Sequence, residues 1–391
     1  MTAQALVADL ERRLSQPGLP HVRAWKSADA GRRAIGILPV LAPREIVWAA
    51  GALPVFVRGG GDRVDTVRGD AFYQSYICRL PRSTIELGVS GELDVLDGML
   101  FPNTCDVIRN LSGMWRDLLP GHYVRLVDPP QTAAAEAALR FWRHDLATLL
   151  SELCALAGRE PDLENVRGAI TEYAAARLAT QRLLHARVAE PWNHPVDETY
   201  LVRRAGDSMP PLEYQELVSQ YLTLARARRA RREDRIRVLL VGSFCEQPPL
   251  GLLRALERSG CYVVDDDLVS ADIDADAATL AAAIREADPL TALARASLSP
   301  ARPASVRFDA AGEHGRKLAA RARSLGADGV VFAAPSFCDP ALLDQPRLQA
   351  ALDRARVPHT TLKYAENTGQ FQVFREQAGT FADSVKLWGQ A

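Results

Sequence analysis

The chain has 391 residues, 48% of them hydrophobic, enough for two or three packed units rather than one simple core. A formal net charge of -1 gives no global attraction to a polyanion such as DNA. The longest apolar stretch, "IVWAAGALPVFV", is broken by Gly51 and Pro54 and is shorter than the roughly 18 residues a membrane span requires.

The N-terminal "MTAQALVADLERRLSQPG" mixes acids and bases at helical spacing and lacks the apolar core of a signal peptide. A cytoplasmic protein with no membrane and no nucleic-acid partner is expected. In that compartment the six cysteines, at 78, 105, 154, 245, 261 and 338, are free thiols or metal ligands rather than disulfides.

Short apolar runs then alternate with longer amphipathic ones, the pattern of an α/β fold. "AIGILPV" predicts a strand, "APREIVWAAG" a helix closed by Gly51, "LPVFVRGGG" a strand entering a glycine turn, and "VLDGMLFPN" a further strand. "CDVIRNLSGMWRDLL" has Val107, Leu111 and Met114 at helical spacing, and the strand "HYVRLVD" ends at Pro129 and Pro130. From about Ala133 to Glu233 the segments are long and helical, with "ARARRARRE" (Ala225 to Glu233) read as a solvated basic helical face. Alternation resumes with "RIRVLLVGSF", "PLGLLRALERSG" and "CYVVDDD", and later with "GRKLAARARSLG", "ADGVVFAAPSF" and "VPHTTLKYAE". Residues Ser270 to Pro303, rich in Ala, Asp and Pro, read as a surface excursion. The expected architecture is two Rossmann- or flavodoxin-like α/β units with parallel sheets and a helical layer or cap between them. The domains fall at 1–132, 133–234 and 235–391. The two α/β halves read as candidate distant copies of one unit.

Common sites are absent: "GK" never occurs, so there is no Walker phosphate loop, and no G-x-S-x-G, H-E-x-x-H or C-x-x-C is found. "RGGGDR" (Arg58 to Arg63) reads as a turn, since Val64 breaks G-x-G-x-x-G. In open parallel sheets ligands bind beyond the carboxyl ends of the strands. Cys105, Cys245 and Cys338 each follow a strand almost immediately, which puts them at that edge. Thiolates from separate loops can ligate an iron-sulfur cluster, but cysteine is also a common space-filling core residue, and spacing alone favours the latter. Cys154 and Cys261 read as core. Asp265 to Asp267 offer a site for a cation or ribose hydroxyls, or more simply a cap or turn.

Longer blocks carry a family resemblance. "YQSYICRLPRSTIELGVSGELDVLDGMLFPNTCDVIRNLSGMW" (Tyr73 to Trp115), "CEQPPLGLLRALERSGCYVVDDD" (Cys245 to Asp267), "KYAENTGQFQVFREQAGTFADSVKLW" (Lys363 to Trp388) and "PREIVWAAGALPV" (Pro43 to Val55) resemble the 2-hydroxyacyl-CoA dehydratase alpha and beta subunit family. Within it they resemble the C (gamma) subunits of benzoyl-CoA reductases. The resemblance implies a 4Fe-4S iron-sulfur cluster held by three cysteines, matched by Cys78 in "SYICRLP", Cys105 in "FPNTCD" and Cys338 in "SFCDP"; Cys245 is not carried over. It implies low-potential electrons passed to a benzoyl-CoA-type aromatic thioester, giving a cyclohexadienoyl-CoA. The implied partners are a homologous cluster-binding subunit and two ATPase electron-activator subunits, in accord with the missing phosphate loop. The related alternatives are a dehydratase subunit and an electron-relay subunit that does not touch substrate; a Rossmann-like binding protein with incidental thiols is a third reading. Arg79 and Arg82 could meet phosphates or cluster sulfurs, or form a surface ion pair. For a proton donor, Ser75, Tyr76 and His122 are near in sequence only.

Overall fold

In the computed structural model the described residues are 1–391 without 42, 132–135, 229, 243–247, 270–278, 281, 283, 299–304, 310, 365–370 and 389–391. The chain opens with α1 (Ala3–Ser15) and α2 (Pro20–Ser27). It then builds β1 (Arg33–Ile37), α3 (Arg44–Ala49), β2 (Ala52–Phe56), α4 (Arg79–Val89), β3 (Gly98–Pro102), α5 (Asp106–Leu118) and β4 (Tyr123–Val127). Four helices follow without a strand: α6 (Glu136–Ala157), α7 (Leu163–Ala189), α8 (Val196–Ala205) and α9 (Pro211–Arg226). The last part comprises β5 (Ile236–Gly242), α10 (Leu250–Arg258), β6 (Cys261–Asp266), α11 (Pro289–Leu298), α12 (Glu313–Ser324), β7 (Gly329–Pro335), α13 (Asp339–Ala355), β8 (His359–Tyr364) and α14 (Phe371–Trp388).

The fold is α/β, with two four-stranded sheets ordered β2-β1-β3-β4 and β6-β5-β7-β8, every pairing parallel. A parallel sheet is covered on both faces by its crossover helices, so its central strands are apolar throughout. Accordingly β3 and β7 are buried at every residue. In both sheets the order reverses between the first and third strands of the unit, which opens a crevice at their carboxyl ends. Cys154 and Cys261 are core residues, as expected.

Buried charges join the units. Helix α7, 27 residues or about 40 Å long, pairs Arg177, near its middle, with Glu45 of α3 at 2.6 Å. In its last turn Arg187 meets Asp266 of β6 at 2.7 Å. Arg203 of α8 reaches both oxygens of Asp266 at 2.8 Å. Burial alone would raise the Asp266 carboxyl, but Arg203 and Arg187 outweigh it and hold the group far below the usual carboxylate range. Arg58, just after β2, donates to Asp207 at 2.7 and 3.3 Å and to the Leu268 carbonyl oxygen at 3.2 Å. One guanidinium thus touches the first sheet's edge, the α8–α9 turn and the end of the second sheet.

Three expectations change. Within Ser270 to Pro303, α11 is no surface excursion: Leu290, Leu293 and Leu298 are buried in one cluster with Trp142 and Leu146 of α6. Asp288 starts that helix by accepting the Leu290 N–H at 3.1 Å, so its acid and Pro289 mark a helix start rather than a loop. Asp265 to Asp267 include a turn, with the Leu268 N–H bonded to Asp266, but their main partners are arginines: Arg187, Arg203 and Arg321. The basic run leaves the helix after Arg226, and Arg228 folds back onto Glu198 at 2.6 Å.

Removing one partner of a buried pair strands the other's charge. Asp266→Ala is therefore expected to cost about 3–5 kcal/mol, seen as a lower urea midpoint, whereas Glu136→Ala in the exposed Glu136–Arg140 pair shifts stability by under about 0.5 kcal/mol. A pH effect of opposite origin arises at Glu257, which burial pushes up to about 8 while it accepts the Val196 N–H. A raised carboxyl favours the folded state below its ordinary pKa and loses that contribution as pH rises towards 8. Urea midpoints measured between pH 5 and 8 are expected to fall more steeply in the parent protein than in Glu257→Gln.

Candidate functional site

Cys78, Cys105 and Cys338 line one cleft of about 590 Å³. Each cysteine is the residue that starts a helix: Cys78 precedes α4, Cys105 precedes α5 and Cys338 precedes α13. Three helix N-termini, the positive ends of helix dipoles, therefore border the one cleft. Asp106 and Asp339, the first residues of α5 and α13, return negative charge to the same cleft.

The two strand-following cysteines occupy matching places. β3 ends at Pro102 and β7 at Pro335, and each is followed by a two-residue turn, a cysteine and an aspartate. This repeated P-x-x-C-D is a sequence signal that composition and spacing did not single out. The first turn is pinned by the Asn103 N–H to the Val127 carbonyl oxygen at 2.8 Å and by Asn103 Nδ2 to Asp128 at 3.0 Å. The second is pinned by the Ser336 N–H to the Tyr364 carbonyl oxygen at 2.9 Å and the Cys338 N–H to the Pro335 carbonyl oxygen at 3.3 Å. Burial pushes the Cys105 thiol up, opposed by the Val107 and Ile108 N–H groups and the Thr104 hydroxyl facing its sulfur.

Cys78 arrives differently, on the long connection between β2 and α4. "RGGGDR" forms a turn there, as expected, with Gly59 and Gly61 at φ +65° and +57° leading into a short 3₁₀ turn. Further on, Glu86 of α4 accepts the N–H groups of Arg68 and Gly69 at 2.6 and 3.0 Å. A Cβ on Gly69 would overlap the Arg82 carbonyl, so the connection lies directly on α4. Arg82 pairs with Asp70 at 2.9 Å and Arg79 donates to the Val64 carbonyl oxygen. Both arginines therefore hold the connection in place.

The remaining wall comes from Ser305 to Asp309 and from Leu343, Asp344 and Arg347 of α13, none of which sequence reasoning selected. Asp344 accepts from Ser305 Oγ at 3.0 Å and pairs with His314 Nδ1 at 2.7 Å. Tyr73 was also missed. Its hydroxyl is buried, has no hydrogen-bond partner among the described residues, and is held protonated by burial and then by Cys78 and Cys105. His122 lies at the amino end of β4, the edge opposite Cys105, and packs on Trp115. Ser75 and Tyr76 are exposed. Cys245 lies outside the described residues.

Among the described residues no three His, Cys, Asp or Glu side chains stand close enough to hold a single metal ion. A cubane cluster is larger, and its ligands stand further apart than those of one ion. Three soft sulfur donors on one cleft, all aimed from helix N-termini, match such a cluster in chemistry. An anionic group held by Cys78 and Cys105 is also the acceptor that the Tyr73 O–H lacks.

The family described as 2-hydroxyglutaryl-CoA dehydratase, D-component, matches residues 39–385. The chain is 44% identical to the C (gamma) subunit of the Thauera aromatica benzoyl-CoA reductase over 391 residues, 99% of this chain and 100% of that protein. It is 24% identical to the (R)-phenyllactyl-CoA dehydratase beta subunit of Clostridium sporogenes, covering 91% of this chain and 92% of that one. It is 25% identical to the (R)-2-hydroxyglutaryl-CoA dehydratase beta subunit of Acidaminococcus fermentans, covering 98% and 100%. No helix among the described residues is long and apolar enough to cross a membrane.

The Glu86 anchor can be tested alone. Glu86→Ala frees two N–H groups from a charged acceptor, and about 1.5 kcal/mol of lost local stability raises the open population of the connection about tenfold. Trypsin cleavage after Arg68 is expected to accelerate by about that factor while cleavage elsewhere keeps its rate.

Proposed function

The chain belongs to the 2-hydroxyglutaryl-CoA dehydratase D-component family, and from that premise we propose that it is the iron-sulfur subunit of an ATP-dependent benzoyl-CoA reductase. It acts with a homologous cluster-binding subunit and two ATPase subunits that activate the electrons, in the cytoplasm. The 44% identity to a benzoyl-CoA reductase subunit along the whole chain supports the reductase over the dehydratases, which match at 24–25%. The single observation that carries the site is the convergence of Cys78, Cys105 and Cys338 on one cleft from two separate sheets.

In this reading Cys78, Cys105 and Cys338 hold a four-iron, four-sulfur cluster. When bound, that group supplies low-potential one-electron transfer and keeps one iron free of a protein thiolate. The chain's own residues set its surroundings. The helix N-termini stabilise the thiolate form that ligation needs, offsetting the burial that raises Cys105. Leu80, Val107, Ile108, Val306 and Leu343 keep much of the cleft apolar, so that a reactive acyl group meets little water. Tyr73 keeps its hydroxyl proton and offers a hydrogen bond to negative charge at Cys78 and Cys105.

Anaerobic reconstitution followed by iron, sulfide and EPR measurement tests the ligands. Cys78→Ser, Cys105→Ser and Cys338→Ser are each expected to drop iron content several-fold and to abolish or alter the cluster signal, while Cys154→Ala, in the core, retains both. Normal spectra in any of the three serine variants sink that assignment. Offered both substrate types, the assembled complex is expected to reduce benzoyl-CoA with ATP and to leave 2-hydroxyacyl-CoA thioesters unchanged. Dehydration of the latter alone decides for the dehydratase. If the acyl group proves to sit at the sister subunit's cluster in a complex structure, this chain is an electron relay.

A further inference from the structure

Phe337 has a backbone conformation that its side chain disfavours. It is the third residue of the turn Pro335–Ser336–Phe337–Cys338, with φ at +66° and the fourth residue's N–H donating back to the first carbonyl oxygen. That position of a type II turn requires positive φ and is ordinarily filled by glycine, which has no Cβ to clash. A bulky residue there is an outlier, and outliers of this kind are retained where the surroundings or a function offset them.

The chain's own packing covers only about half of the Phe337 side chain. Val40 and Leu41, which also have positive φ, are buried, so apolar contacts compensate their strain. Phe337 is 47% exposed, and its side chain is on the cleft that Cys78, Cys105 and Cys338 line. Phe308, 68% exposed, lines the same cleft. Two phenylalanines on the cleft thus leave much of their surface uncovered by the described residues.

We propose that Phe337 is a specificity-determining residue whose ring contacts the arene of an aryl-CoA thioester, so that the cleft prefers an aromatic to a saturated acyl ring. The proposal rests on the reductase reading above. Its physical basis is the quadrupole of the phenyl ring. An arene packs against it offset or edge-to-face with a gain beyond area burial, whereas a cyclohexane ring of similar size fills the volume without that gain. Phe337 lines the same cleft as the three sulfur donors, so the contact falls on that cleft.

Equilibrium binding to the assembled complex without ATP tests it, since no electrons then flow. Benzoyl-CoA and cyclohexanecarboxyl-CoA are compared in the parent, in Phe337→Leu, which keeps the bulk, and in Phe337→Gly, which also removes the strain. The parent is expected to favour benzoyl-CoA, and both variants to lose about 2- to 12-fold of that ratio, while Phe337→Gly raises Tm. A ratio unchanged in both variants overturns the proposal. So does loss of the sister subunit on size exclusion with the ratio intact, which makes the ring a contact between subunits, or a Phe337→Gly Tm no higher than the parent's. If the parent itself neither binds nor reduces benzoyl-CoA, the reductase reading fails first, before any variant is compared.

Discussion

The Asp266 carboxylate, enclosed by Arg187 and Arg203, is the contact on which the arrangement of the whole molecule turns. Both arginines are fully buried on helices outside the sheet that Asp266 belongs to. Such a pair stabilises the fold little relative to an apolar packing, because desolvation offsets most of the attraction. What it does is fix geometry: a carboxylate held by two guanidinium groups, one of them reaching both its oxygens, keeps one orientation. With Arg58 spanning Asp207 and Leu268, and Arg177 holding Glu45, the charges set how one sheet stands against the other. The shared cleft requires that setting, since Cys105 and Cys338 come from different sheets.

At the cleft the helix N-termini and the first-turn aspartates act against each other. At Cys105 the Val107 and Ile108 N–H groups lower the cost of negative charge on sulfur, while Asp106 raises it. Cys105 has the further opposition of burial. Cys105 is thus held towards its neutral form. Tyr73 is likewise held in its neutral form, and its hydroxyl has no hydrogen-bond partner among the described residues.

Much of the fold was legible in the amino-acid sequence because strands buried on both faces are continuous apolar runs, and "GMLFP" and "GVVFAAP" admit little else. The strand-edge position of Cys105 and Cys338 could be read from the same runs and the rule for open parallel sheets. Cys78 could not, since it follows a long irregular connection, and only the family resemblance selected it. Partners distant in sequence left no local trace. Asp265 to Asp267 suggest a cap when read alone; their arginines lie on α7, α8 and α12. Likewise α11 was hidden by Asp288 and Pro289, which start a helix as readily as they interrupt one. Phe337 looked like an ordinary strand-end aromatic, because backbone sign is not written in composition.

The two sheets share strand order, and each third strand is followed by proline, turn, cysteine and a helix. The helix leading into each third strand also has a counterpart: Cys78 starts α4, and Gly312 starts α12. Gly312 lines a smaller cavity that shares Asp309, Asp344 and Arg347 with the cleft. A doubled architecture offers four equivalent corners, and this chain has placed sulfur at three of them. The three thiols that line the cleft are thus shared unevenly, two from one half and one from the other, and the corresponding helix start in the second half carries glycine.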